Sequence, residues 1–355
     1  MVDAAVAEAR DSLSNEVDTR AVPRSRWREL LATRASAIFL LDVLLFIVFT
    51  VLSSHGVFAS LADVKALLLA GTEALLLAVG LSLMLGAGIF DLSLGANLVL
   101  SSVVGAKIIN ALAITGPNGT ATHVGVAALA GVGGALATGA LFGLVNGSLI
   151  AYARINSLIA TLGTLGIGMG IAYVVTNGSD VAGLPTPLQQ SFGLRTVGPI
   201  PLPALVALAV AAVAWLSVRF TRFGTRTLAI GSSRVAASRA GIRVTRYIVA
   251  LAALAGTFAG IAGFIDISHY GSTVVNGHAN DALNAVTAAV IGGTLLEGGR
   301  VSIPGAVWGT ALAVILQGGL VVIGVSSYYQ LMAVGGALIL AVGLDRFTVQ
   351  RREQG

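Results

Sequence analysis

Long apolar runs dominate this chain, and short polar stretches punctuate them. Ten such runs stand out, at about 36–53, 64–87, 91–112, 123–150, 158–176, 204–218, 247–268, 283–296, 304–323 and 327–344. Most approach the roughly 20 residues an α-helix needs to cross a bilayer core, and all exceed the roughly 10 of an outer-membrane strand. The expected fold is therefore all-α and polytopic. It has a single transmembrane domain over 36–345, a tail at 1–35 and a second tail at 346–355. The eighth run is short and is expected to be broken or re-entrant.

The polar stretches orient these spans. With the N-terminus in the cytoplasm, the inner segments are 1–35, 88–90, 151–157, 219–246, 297–303 and 345–355, and they hold 18 of the 21 lysines and arginines. Only Lys65, Lys107 and Arg195 fall elsewhere. Cytoplasmic loops carry such an excess of basic residues, so an even number of spans with both termini cytoplasmic is expected. The tail at 1–35 has neither an early apolar core nor a small-residue cleavage site. It therefore reads as a cytoplasmic tail with Trp27 near the interface, and the first span as an uncleaved anchor. The densest basic segment lies between Trp215 and Tyr247, with seven arginines and no acid. Within it, 232–241 reads as a short helix that Ser232 or Ser233 caps and Gly241 ends.

Composition narrows the class further. The chain is 56% hydrophobic and 10% charged, against roughly 25% charged residues in soluble domains. Its 45 glycines are scattered through the apolar runs, where small residues let helix backbones approach closely. There is no cysteine, which excludes disulfides and thiolate metal sites. The net charge of +5 comes from cytoplasmic arginines, with no aromatic-interleaved stripe of the kind that binds nucleic acid. A P-loop needs Gly-Lys-Ser/Thr, but Lys65 follows Val64 and Lys107 stands between Ala106 and Ile108. No catalytic residue and no cofactor is assigned. His55, His123, His269 and His278 lie on or near the outer side without metal-ligand spacing, so they read as ordinary outer-surface residues and no metal site is assigned. The longest outer loop, 177–203, is Pro-rich and reads as stiff and ordered.

Polar residues inside the spans are few: Asp42, Glu73, Asn97, Asn146, Asp266, Asn284 and Gln317. Such groups are costly in lipid and face a bundle interior or a pathway, so Asp42 and Glu73 are read as interhelical hydrogen-bonding groups first and pathway groups second. Asp91, ahead of the third span, can cap it through first-turn amides. Asn156 or Ser157 can cap the fifth. Thr161, Thr164 and Gly168 form one small, hydroxyl-bearing face that suits packing or a polar pathway. The candidate pathway residues are Asp91, Ser93, Asn97, Asn146, Thr161 and Thr164. Gly139-Ala140-Leu141-Phe142-Gly143 recurs in type as Gly305-Ala306-Val307-Trp308-Gly309, five spans later, as an inverted 5+5 repeat would place it.

In order along the chain, these clusters resemble one family. Phe90-Asp91-Leu92-Ser93-Leu94-Gly95 is similar to the first signature of ribose-type permeases, the membrane subunits of bacterial ATP-binding-cassette (ABC) importers for monosaccharides. Asn146-Gly147 with Ile159–Thr164 resembles a second signature. Thr221-Arg222-Phe223-Gly224 through Ala236-Ala237 to Gly241-Ile242 resembles the family's cytoplasmic loop, and Ala288–Thr294 with Gly298-Gly299 a fourth. The resemblance runs from about residue 60 to 345. It implies a homodimeric or heterodimeric pathway in the inner membrane, made with a second permease copy or paralogue. It also implies two cytoplasmic ATPase subunits, or a fused pair, and an extracytoplasmic binding protein that delivers a sugar or similar small polar solute. The 232–241 helix would be the coupling helix, with Ser233, Arg234, Ala236, Ala237 and Gly241 as its contact residues. The chain departs from the family at Ile89-Phe90, where glycine usually precedes Ile-Asp. It departs again at Ser233-Arg234-Val235, where relatives often place Asn and an acid. The alternative expectation is an ion-coupled secondary transporter in which Asp42, Glu73 and Asp266 carry a proton.

Overall fold

The computed structural model describes residues 34–115, 121–278, 280–326 and most of 328–336. It is a bundle of helices: α1 (Arg34–Leu52), α2 (Leu61–Gly86), α3 (Leu94–Leu112), α4 (Val124–Ala151), α5 (Ser157–Thr176), α6 (Leu202–Phe220), α7 (Arg222–Ser232), α8 (Arg234–Arg239), α9 (Val244–Tyr270), α10 (Asp281–Ile291) and α11 (Ile303–Val322). Eight of these are long and apolar enough to cross a membrane, so the protein is all-α and polytopic. The tenth expected span, 327–344, and both expected tails lie almost wholly outside the described residues.

The observed ends follow local chemistry. Ser60 accepts a hydrogen bond from the Asp63 amide and starts α2, while Asn156 accepts one from the Leu158 amide and starts α5. Ser302 accepts from the Gly305 amide at the head of α11, with Pro304 in the first turn where no N–H partner is needed. The short eighth run becomes α10, only 11 residues or about 16 Å long, half the depth of a bilayer core. The segment from Gly271 to His278 ahead of it is non-helical, so α10 is a half-helix that starts within the bundle.

The basic segment at 219–246 is more ordered than a loop with one short helix. Thr221 accepts from the Phe223 amide and starts α7, whose Gly224, Thr227 and Ile230 turn inward. Ser233, not Ser232, caps α8 by accepting from the Ala236 amide. Gly241 adopts φ +83° and ends it. The Ile242 amide reaches the Ala237 carbonyl and the Gly241 amide the Ser238 carbonyl, the paired closure that a left-handed residue makes possible.

Helices α2, α3 and α9 are the most buried and form the core. Glycines set how closely the others approach it. A Cβ on Gly139 or Gly143 of α4 would run into the α9 backbone at Gly256 and Ala252, and one on Gly305 or Gly309 of α11 would run into α10 at Gly292 and Ala288. The two similar pentapeptides thus do the same job at two helix pairs. Helix α4 packs on α3 and α9, and α11 packs on α10 and α2.

The Pro-rich loop 177–203 contains one helical turn, a wide π-type turn at 189–193 and a short antiparallel pair in which Thr196 faces Pro201 and Val197 faces Ile200. It is tied down at several points. Asp180 accepts from the Val275 amide at 2.7 Å, Thr273 accepts from the Val181 amide at 2.8 Å, and Gln189 donates to the His269 carbonyl at 3.0 Å.

Candidate functional site

Three sets of residues carry the candidate chemistry, and the first two share the α2–α3 turn and Ser157. The first is built around the turn between α2 and α3. Asp91 and Ser93 sit here, and both are buried. The Ser93 amide and hydroxyl both donate to Asp91 Oδ1, at 2.9 and 2.6 Å, and Asn146 of α4 donates to Ser93 Oγ at 2.6 Å. Asp91 therefore shapes the turn before α3 through Ser93 rather than capping first-turn amides of the helix. Thr161 of α5 accepts from the Leu92 amide at 3.3 Å, and Ser157 accepts from the Phe90 amide at 3.2 Å. Asn97 donates to the Gly139 carbonyl and accepts from Ser101. Thr164 is buried too, and a Cβ on Gly168 would meet Phe142 and Ala96, so this face of α5 packs against the bundle. Ser93, Asn97, Asn146 and Thr161 pin the start of α3, α4 and α5 together, while Thr164 bonds back to the Thr161 carbonyl of its own helix.

The second set lies at the ends that the charge pattern puts in the cytoplasm. Gly86 accepts a hydrogen bond from the Gly299 amide at 3.0 Å. A Cβ on Gly231 would collide with both of those backbones, and one on Gly298 would collide with Gly231 and Gly88. The α2–α3 turn, the end of α7 and the α10–α11 turn thus meet backbone to backbone. Arg234, the first residue of α8, donates to the Gly88 carbonyl at 3.2 Å and joins the same junction. Its guanidinium is turned toward its own chain. Next to it, Arg154 and Arg234 border a cavity of about 460 Å3 with Gly88, Asn156 and Ser157. Four segments that the sequence places inside are therefore neighbours in space.

The structure divides the five expected coupling residues by role. Ser233 and Gly241 are the start and stop of α8, and Ala237 is buried against the bundle. Ala236 faces outward, and beside it stands Val235, 63% exposed, which the motif comparison marked only as a departure. The signal was present in the sequence: a branched aliphatic residue next to Ala236 in a helix otherwise made of arginine, alanine and serine.

The third set lies where α10 begins. Glu73 of α2, Asp266 of α9, His278 and Asp281 converge there. His278 Nε2 is 3.2 Å from Asp266 Oδ1, and its Nδ1 is 2.7 Å from Asp281 Oδ2 and 3.9 Å from Glu73 Oε2. His278 is therefore buried and carboxylate-bound, unlike the outer-surface residue expected. A crevice of about 480 Å3 opens onto the group, and its walls include Glu73, Tyr270, His278, Asp281, Asn284 and Gln317. Of the in-span polar residues, Glu73, Asp266, Asn284 and Gln317 gather here, and Asn97 and Asn146 belong to the first set. Asp42 stays apart, buried in α1 with no hydrogen-bond partner on either oxygen.

Comparison with known proteins fits this architecture. Residues 64–342 match the family described as branched-chain amino acid transport system / permease component. The ribose import permease protein of Bacillus subtilis is 39% identical over 202 residues, 57% of this chain and 63% of that protein's length. The ribose import permease protein of Escherichia coli K12 is 33% identical over 258 residues, 72% of this chain and 76% of the relative. The galactose/methyl galactoside import permease protein of Haemophilus influenzae is 30% identical over 320 residues, 88% of this chain and 94% of the relative. No solved structure matches.

Proposed function

The chain belongs to the branched-chain amino acid transport system / permease component family, and from that premise we propose that it is the membrane-spanning subunit of an ABC importer for a monosaccharide or similar small polar solute. The observation that carries the reading is similarity to a sugar import permease over 88% of this chain, covering both the α2–α3 turn and the coupling helix. The family description names amino acids, but the ribose and galactose permeases carry the specific likeness, so a sugar is the solute class put forward. The protein is placed as a multi-pass protein of the bacterial inner membrane. It is a transport subunit and not an enzyme, and ATP hydrolysis belongs to a partner because no Gly-Lys-Ser/Thr occurs in the chain.

The partners follow from this reading. Two cytoplasmic ATPase subunits, or a fused pair, seat the exposed face of α8 at Val235 and Ala236, while Ser233, Ala237 and Gly241 hold that helix in shape. A second permease copy or paralogue completes the pathway. Gly163, Gly166 and Gly170 of α5 support a close approach by such a neighbour, because among the described residues no other part of the chain lies within 4 Å of a Cβ placed on any of them. An extracytoplasmic binding protein delivers the solute. Transport proceeds by alternating access: closure of the ATPases moves α8, and the glycine junction passes that motion to α2, α3 and α10.

The test is reconstitution. The chain is purified from its own membranes with whatever ATPase and binding protein accompany it, and labelled ribose and galactose uptake is followed in proteoliposomes. Uptake that requires ATP and the binding protein is expected. Uptake by the isolated chain under a proton gradient, with no ATPase present, would overturn the proposal in favour of an ion-coupled transporter.

A further inference from the structure

We propose that Glu73, Asp266 and His278 bind a divalent transition-metal cation at the head of the half-helix α10. One donor atom from each of the three residues lies within 4.8 Å of the others. The donors come from three separate parts of the chain: α2, α9 and the segment leading into α10. No spacing along the sequence could have shown this convergence.

The donor set suits a cation. His278 has a carboxylate at each ring nitrogen, Asp266 at Nε2 and Asp281 at Nδ1. Among the described residues no lysine or arginine forms an ion pair with any of these groups. Asp266 gives the second, independent sign: it is fully buried, and its Oδ2 has no hydrogen-bond partner.

The second shell is also in place. Asp281 accepts from Nδ1, which fixes the ring and leaves Nε2, on the Asp266 side, as the ligand atom. Nε2 would bind the cation in its deprotonated form, and any proton it carries would leave to solvent. The imidazole favours zinc over calcium or magnesium, which prefer all-oxygen shells, while the two carboxylates also admit manganese. Two ligands of a zinc ion stand at most about 4.4 Å apart, so the site closes by a small movement of the Glu73 side chain. The crevice lined by Glu73 and Asn284 gives the ion its route from the outer side. Bound there, the ion would tie α2 and α9 to the first turn of α10.

The site does not depend on the transport reading and is tested by binding alone. The full chain, purified with a tag that contains no histidine, is titrated with ZnCl2 or MnCl2 by calorimetry, and metal content after desalting is measured by mass spectrometry. One ion per chain is expected. Glu73→Gln and Asp266→Asn are each expected to abolish stoichiometric binding. Asp281→Asn, which leaves the ligands and removes the orienting carboxylate, is expected to weaken it about 10–100-fold. Elution of each variant as a monodisperse peak in size-exclusion chromatography shows that it has folded. No stoichiometric binding by the wild type would overturn the proposal, as would equal binding by the wild type and folded variants.

Discussion

At Gly231 three backbones meet with no room for a side chain. Gly231→Ala would push a methyl group into the Gly86 and Gly299 backbones, neither of which can rotate away as a side chain would. Overpacking of this kind costs about 1–3 kcal/mol, so the purified variant is expected to melt at a lower temperature than the wild type. An unchanged melting temperature would show that the junction has slack. The Asp91–Ser93–Asn146 relay makes a second case. Ser93→Ala leaves Asn146 Nδ2 without its acceptor and strips one hydrogen bond from Asp91, at about 1–3 kcal/mol for a buried unpaired polar group. The expected result is lower stability in detergent with α3 to α5 opening first, read by hydrogen exchange. The residues of this relay were legible in the sequence because polar side chains stand out in apolar runs. Their pairing was not, since Ser93 and Asn146 are separated by 53 positions and no periodicity links them. His278 was misjudged for a similar reason: Asp281 is close in sequence, but Glu73 and Asp266 reach it only through the fold.

Among the elements, α8 makes the sharpest claim. It is short, capped at both ends and exposed at Val235, so its outward face can change without disturbing the core. Val235→Asp or Ala236→Trp is expected to leave insertion and melting near wild type while reducing ATP-driven uptake at least about tenfold, the equivalent of about 1.4 kcal/mol of coupling. Normal uptake would remove α8 from the contact with the ATPase. The boundaries of the long spans could be read from the sequence to within a few residues, since hydropathy and capping residues both mark them. Helix α7 could not. Its arginines suggested a solvated loop, and its inward face is carried only by Gly224, Thr227 and Ile230, too weak a stripe to separate from the arginines around it. The half-helix α10 was foreshadowed by the length of its run, but its start at the Glu73–His278 group was not.

For the whole molecule, orientation is the expectation that rests on charge alone. The chain has no cysteine, so single cysteines can report sidedness without background. Ser238→Cys, on α8, is expected to react with a membrane-impermeant maleimide only in inside-out vesicles, and Ser179→Cys, in the outer loop, only in right-side-out vesicles. The reverse pattern would invert the topology. Helix α10 carries a mechanical consequence for the same frame. Its inner end leads into the turn that meets Gly231, and its outer end carries Asp281 beside His278. A rod of about 16 Å is too short to bend, so a tilt of about 10° at one end swings the other by about 3 Å. That displacement equals the full length of a hydrogen bond. A swing of that size would carry Asp281, in the first turn of α10, out of reach of His278 Nδ1. In the proposed transport cycle α10 would thus serve as a lever between the glycine junction and the crevice beside Glu73.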